Sequence, residues 1–140
     1  MLSGGCLCGR VRYETSGEPF HETICHCADC RRAVGAAGVA WFSVPLDTLR
    51  FTTEEPAYFR SSGLVERGFC ATCGTSLTYQ TSEHPAEIDI TIASLDDAAL
   101  VTPLDHSFTA GKTKWEIVCD GLPAYPQLRP AEHRKRPVRV

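Results

Sequence analysis

Residues 4–13 read GGCLCGRVRY and residues 68–77 read GFCATCGTSL. Each stretch carries a close pair of cysteines, Cys6-x-Cys8 and Cys70-x-x-Cys73, with a glycine directly behind it. Thiolates around a tetrahedral zinc stand just under about 4 Å apart, because the Zn–S bond is about 2.3 Å. Cys-x-Cys meets that spacing in an extended segment, where residues i and i+2 point to one side. Cys-x-x-Cys meets it on a tight turn. Glycine after the last cysteine allows positive φ, so the backbone can curl its N–H groups toward negatively charged sulfurs. These features pair Cys6, Cys8, Cys70 and Cys73 around a structural zinc that ties the N-terminus to mid-chain.

Between the two pairs lies a third cluster, CHCADC, with Cys25, Cys27 and Cys30. No glycine follows it directly, and it does not easily share a metal with knuckles that have already found each other. Seven clustered cysteines are four plus three. A zinc held by four protein ligands is structural, and one held by three keeps a position for water or substrate. The reading is therefore two Zn2+ per chain, the second on Cys25, Cys27 and Cys30. Arg31 and Arg32 follow and are positioned in sequence to offset thiolate charge or attract an anion. The competing arrangement closes the second site with His26, His84 or His106. His26 stands between two ligands and should point away from a metal that they face. The eighth cysteine, Cys119, reads as a small buried hydrophobe.

The rest of the chain is strand-like. Alternating or β-branched segments recur at Val11–Glu14, Phe20–Ile24, Val39–Val44, Leu49–Thr53, Ala57–Arg60, Leu64–Phe69, Ser76–Gln80 and Ile88–Ala93, separated by turn-prone pieces. Short helical turns are expected at Asp29–Val34 and Asp96–Leu100. Many short strands argue for a mainly β protein of packed antiparallel sheets. After Pro103 the pattern loosens. With 140 residues, 43% of them hydrophobic, the chain fits one domain with a modest core. Residues 1–125 read as the zinc-binding domain and 126–140 as a basic C-terminal tail, a solvated end rather than a separate domain.

That tail holds Arg129, Arg134, Lys135, Arg136 and Arg139 against Glu132, which leaves the first 125 residues near −7 out of a net −3. No aromatic residue interleaves the tail's charges, so a stacking platform for nucleic acid is not expected. A secretory signal and an apolar run long enough for a bilayer are both missing, so the expectation is a cytoplasmic, reducing setting without a membrane partner. Spacings of one and two residues suit metal better than disulfides in that setting. Ala110-Gly111-Lys112-Thr113 imitates the end of a phosphate loop, but position 106 is His where that loop needs glycine, and no helix pattern follows. Trp41, Phe42, His106 and Trp115 read as core or cover around the second site.

GGCLCGRVRY, CHCADCRR, RGFCATCGTSL, ITIASLDD and a closing W-x-x-x-x-DGLP together resemble the glutathione-dependent formaldehyde-activating enzyme family, which also includes centromere protein V. The resemblance runs from about Gly4 to about Pro123. It implies an Mss4-like (β-tent) fold, a structural zinc on Cys6, Cys8, Cys70 and Cys73, and a second zinc on Cys25, Cys27 and Cys30. It also implies a carbon–sulfur lyase that joins or parts a small thiol, such as glutathione, and an aldehyde. The alternative it leaves is a non-catalytic zinc module for a protein or nucleic-acid partner.

Overall fold

Each of the eight segments expected as strand overlaps one. The computed structural model describes residues 1–133. Its strands are β1 (Leu2–Gly5), β2 (Arg12–Thr15), β3 (Phe20–Cys25), β4 (Val39–Pro45), β5 (Leu49–Phe51), β6 (Ala57–Arg60), β7 (Val65–Phe69), β8 (Ser76–Thr81), β9 (Glu87–Thr91) and β10 (Asp105–Ser107). One short helix, α1 (Ala28–Val34), follows β3. The fold is mainly β, as expected. A three-stranded sheet has the order β1-β2-β5, and a seven-stranded sheet the order β10-β3-β4-β9-β8-β7-β6.

The sheets face each other across one core. Tyr13 from the smaller sheet, and Val11 just before it, meet Phe42, Val44, Leu77, Ile88 and Ile90 from the larger one. Burying a side chain of this size contributes roughly 1.5–3 kcal/mol, and Phe42, Leu77 and Ile90 are fully buried. Because side chains alternate along a strand, the other face of the larger sheet carries a second series. Thr23 pairs with Trp41, Ser43 with Asp89, Asp89 with Tyr79, and Tyr79 with Arg67. This second face builds the site.

Two strands lie outside the expected set. β1 is LSGG, with no alternation to read. β10 is Asp105-His106-Ser107, three buried polar residues that run parallel to β3, while every other strand pairing is antiparallel. Burial of polar groups is tolerated there because they are bonded. Thr23 Oγ1 donates to Asp105 Oδ1 at 2.5 Å, and the Arg129 guanidinium binds the same carboxylate and the Glu22 carbonyl.

Arg129 therefore departs from the solvated-tail expectation. It is buried, and its ion pair holds the chain around residue 129 against the edge of the larger sheet. Arg134, Lys135, Arg136 and Arg139 lie outside the described residues. Of the two expected helical turns, the first is α1. The second is a single tight turn at Ala98–Leu100, capped by Asp97 Oδ1 accepting from the Ala99 N–H at 3.0 Å. Among the described residues no helix is long and apolar enough to cross a membrane.

Candidate metal centre and its cavity

Cys6 and Cys8 follow β1, and Cys70 and Cys73 follow β7. The four sulfurs lie within 4.8 Å of one another, with Cys6 to Cys8 at 3.5 Å and Cys8 to Cys70 at 3.7 Å. Gly9 and Gly74 take φ of 79° and 77°, the left-handed turn that a residue with a Cβ adopts only with strain. The Gly9 N–H then reaches the Cys6 carbonyl at 3.1 Å, and the Gly74 N–H the Cys70 carbonyl at 2.8 Å. Donors also reach the sulfurs. The Val11 N–H donates to Cys6 Sγ at 3.2 Å. The Thr75 hydroxyl and N–H hold the Cys73 thiol down at about 5. The set offers four thiols and is supplied with N–H groups, so it could hold a metal ion.

The second set is assembled differently. Cys25 ends β3, and the chain then turns directly into α1. Cys27 is the helix cap, with Sγ accepting from the Cys30 N–H at 3.3 Å, and Asp29 places negative charge in the first turn. Residues i and i+3 share a helix face, so Cys30 returns to the side of Cys27. All three sulfurs lie within 4.8 Å of one another. Such crowding divides their protons unequally. Cys27 is pulled far below the ordinary thiol range because Cys25 and Cys30 donate to it, and Cys25 is driven far above for the converse reason. A cation among the three would relieve this, and the set could hold one.

The charge beside these sulfurs does not come from Arg31 or Arg32. Neither lines the adjoining cavity, and Arg32 is exposed. Arg67 supplies it from β7, across the sheet. Its Nη1 and Nη2 stand 3.7 and 3.8 Å from Cys30 Sγ, and its guanidinium lies 5.0 Å from the Tyr79 ring centre. The sequence held one signal for it, namely an arginine in the inward phase of the strand VERGF.

His26 points away from the sulfurs, as its place between them requires. Its Nε2 pairs with His106 Nδ1 at 2.8 Å, and His106 Nε2 pairs with Asp120 Oδ2 at 2.7 Å. Both His106 nitrogens are thus engaged, and the alternative in which His106 closes the second set is corrected. No histidine belongs to either ligand set among the described residues. The Ala110–Thr113 stretch also finds its role here. A Cβ on Gly111 would meet the His26 carbonyl oxygen at 3.1 Å, so this turn lies close against the cysteine loop.

Cys25, Cys27 and Cys30 open onto a cavity of about 440 Å³. Trp41, Tyr79 and Phe108 line it, together with Asp89 and Ser43. His21 and Phe108, the two described non-glycine residues with left-handed backbone, both face it, at φ of 55° and 53°. Strain of this kind persists where the surrounding structure over-determines it. Burial raises the Asp89 carboxyl to about 6, against the hydrogen bond from Ser43.

Phe42 belongs to the core on the sheet's other side, and Trp41 covers the cysteine loop. Two expectations are overturned. Trp115 is 72% exposed, and Cys119 is exposed. Both sit on residues 112–122, which form no strand or helix, so their side chains have no sheet to pack against.

The comparisons agree with this architecture. The sequence profile described as "Glutathione-dependent formaldehyde-activating enzyme" matches residues 1–111. An uncharacterized lyase of Schizosaccharomyces pombe is 30% identical over 91 residues, 59% of this chain and 61% of the relative. The alignment thus spans under two thirds of that curated relative. The crystal structure of a Rhodobacter sphaeroides protein superposes with a TM-score of 0.59 at 27% identity, covering 72% of this chain and 91% of that one. With its cysteine motifs in order and four fifths of its length matched, the chain belongs to the glutathione-dependent formaldehyde-activating enzyme family.

Proposed function

We propose that this protein is a zinc-dependent carbon–sulfur lyase acting on the adduct of a small thiol with an aldehyde, of the glutathione and formaldehyde kind. One observation carries the reading: the three-cysteine set offers only three ligands and, with Arg67, lines a cavity of about 440 Å³, whereas Cys6, Cys8, Cys70 and Cys73 make up a complete set of four. In this reading Cys6, Cys8, Cys70 and Cys73 hold a structural zinc, and Cys25, Cys27 and Cys30 hold a second, giving two Zn2+ per chain. Thiolate donors at this spacing suit zinc. When bound, the second zinc supplies a position that favours a thiol as its thiolate.

The chain's residues do the rest. Cleavage of RS–CH(R′)–OH breaks the C–S bond, forms the carbonyl from the carbinol, and leaves the hydroxyl proton on sulfur as RSH; the reverse adds the thiol to the aldehyde. No oxidant or reductant is needed. Arg67 places positive charge beside Cys30, which offsets the anionic set and favours an incoming thiolate. Trp41, Tyr79 and Phe108 give the adduct an apolar wall and exclude water. His106, anchored on Asp120, holds His26 and so the backbone between Cys25 and Cys27. Free thiols of this kind suit a reducing compartment such as the cytoplasm.

Exchange between glutathione, formaldehyde and their adduct, followed by two-dimensional exchange NMR, tests the reading. Addition of the protein is expected to accelerate the exchange, and Cys27→Ser to abolish the acceleration. A panel of thiols and aldehydes with no acceleration, together with a second metal that takes no added thiol, would overturn it in favour of a non-catalytic zinc module.

A further inference from the structure

The parallel strand β10 brings one hydroxyl directly beside the three-cysteine set. Ser107 is the register partner of Cys25, as Asp105 is of Thr23. Partners on neighbouring strands stand about 4.8 Å apart and point to the same face of the sheet. Ser107 and Cys25 therefore share a face, and both line the cavity. The Ser107 carbonyl accepts from the N–H of His26 at 3.0 Å, which fixes β10 to the loop between two of the sulfurs.

The Ser107 hydroxyl has a proton left to give. Thr23 shares its single proton between Asp105 Oδ1 at 2.5 Å and Ser107 Oγ at 3.0 Å. Asp105 is held in turn by the Arg129 guanidinium. Ser107 is thus an acceptor toward Thr23, and a hydroxyl that accepts still has its own proton to donate. Among the described residues no group takes that proton. Ser107 is only 4% exposed, and an unmet donor at such depth costs stability unless a ligand receives it. Trp41 and Phe108 make the neighbouring wall aromatic. The Ser43 hydroxyl is already given to Asp89.

We infer that Ser107 is a catalytic residue of this site, its hydroxyl donating to the aldehyde oxygen, the atom on which charge develops as the C–S bond forms. The inference rests on the lyase reading, which puts the substrate's sulfur at Cys25, Cys27 and Cys30. The oxygen of the adduct lies two bonds from that sulfur, and Ser107 lies one strand spacing from Cys25. In addition, the sulfur's electron pair forms the C–S bond, the carbonyl π pair moves onto oxygen, and the thiol's proton ends on that oxygen. Cleavage reverses each movement. Ser107 neither gains nor loses a proton. It is a donor fixed in advance where negative charge will appear, which stabilises the transition state more than the ground state.

Calorimetric titration of the zinc-loaded protein with thioacetate and with ethanethiol tests this. Thioacetate carries an oxygen on the carbon next to sulfur, and ethanethiol carries none. Ser107→Ala should weaken thioacetate about tenfold or more, as loss of a charged hydrogen bond does, and leave ethanethiol within about threefold. The same variant should slow saturated glutathione–formaldehyde exchange by about 100-fold with little change in half-saturation. Equal changes for the two thiols, or none for thioacetate, overturn the inference. Weaker thioacetate with unchanged turnover would leave Ser107 a binding residue and overturn its catalytic role. If Ser107→Ala matches a wild type that accelerates exchange, Ser107 alone falls and the lyase reading stands. If the wild type neither binds a thiol nor accelerates exchange, both fall. Should Ser107→Ala not fold, Ser107→Gly carries the same comparison.

Discussion

The two cysteine sets of this chain use the same donor atom in opposite surroundings. Around Cys6, Cys8, Cys70 and Cys73 stand backbone N–H groups and two left-handed glycines, and the set joins the end of β1 to the end of β7. Around Cys25, Cys27 and Cys30 stand a buried arginine, a helix cap and a cavity. Backbone donors stabilise thiolates from within their own turns. A side-chain cation does the same from one side and leaves the other side for a ligand. Under the lyase proposal, what surrounds the sulfurs, rather than the sulfurs themselves, is what distinguishes a crosslink from a reaction site.

Removing one cysteine from each set tests that contrast most severely. Cys73→Ser should abolish cooperative folding, because structural zinc contributes on the order of 10 kcal/mol to a small domain. Cys27→Ser should keep a folded chain that has lost only its second metal. Circular dichroism with metal analysis reads both, and equal collapse of the two variants would end the distinction. Next in size is the cation. Arg67→Met should weaken metal retention at the three-cysteine set by about 10–100-fold, since a buried charge-assisted contact is worth roughly 1.5–3 kcal/mol. A chromophoric chelator competing for the two metals in turn should show the four-cysteine set unchanged.

A pH series sharpens the contrast from the cavity side. Asp89 titrates at about 6 in the folded chain, above the unfolded carboxyl value of 3.8, because burial disfavours its charge. The folded state therefore holds that proton more tightly. Its contribution to stability is fully present below the unfolded value and is lost as pH rises through about 6. Between pH 4 and pH 7 the wild type should lose about 2 kcal/mol relative to Asp89→Asn in urea titrations. A parallel pH dependence in the two proteins would remove Asp89 from the account. The smallest effect is expected from the histidine pair. His106→Ala leaves His26 Nε2 without its partner and should cost about 1–2 kcal/mol, with a several-fold loss of metal from the three-cysteine set only. Thermal melts with metal release measure it, and loss of both metals together would show a general destabilisation instead.

Local spacing was legible from the start. The glycines at 9 and 74, the helical turn after Cys25 and the phase of Val39–Val44 are all set by contacts within a few residues, and the structure keeps each of them. His26 pointing away from the sulfurs followed from its place between two ligands, which is also local geometry. Arg31 and Arg32 show the limit of such reading. They are nearest to the cysteines in sequence, yet the guanidinium at Cys30 comes from 37 residues away.

By itself the sequence determined the two cysteine sets, the strands β3 and β7 that lead into two of the clusters, and the family, because short spacings and side-chain alternation act through nearest neighbours. Tertiary structure alone decided the Arg67 contact, the His26–His106 pair 80 residues apart, the parallel seat of β10 and the buried Arg129. It also left Trp115 and Cys119 exposed, where composition favoured burial. The Arg67 contact and the seat of β10 depend on sheet register, and register is fixed by the packing of whole faces against one another. No single segment carries that information, since the pairing of Tyr79 with both Arg67 and Asp89 exists only once three strands lie side by side.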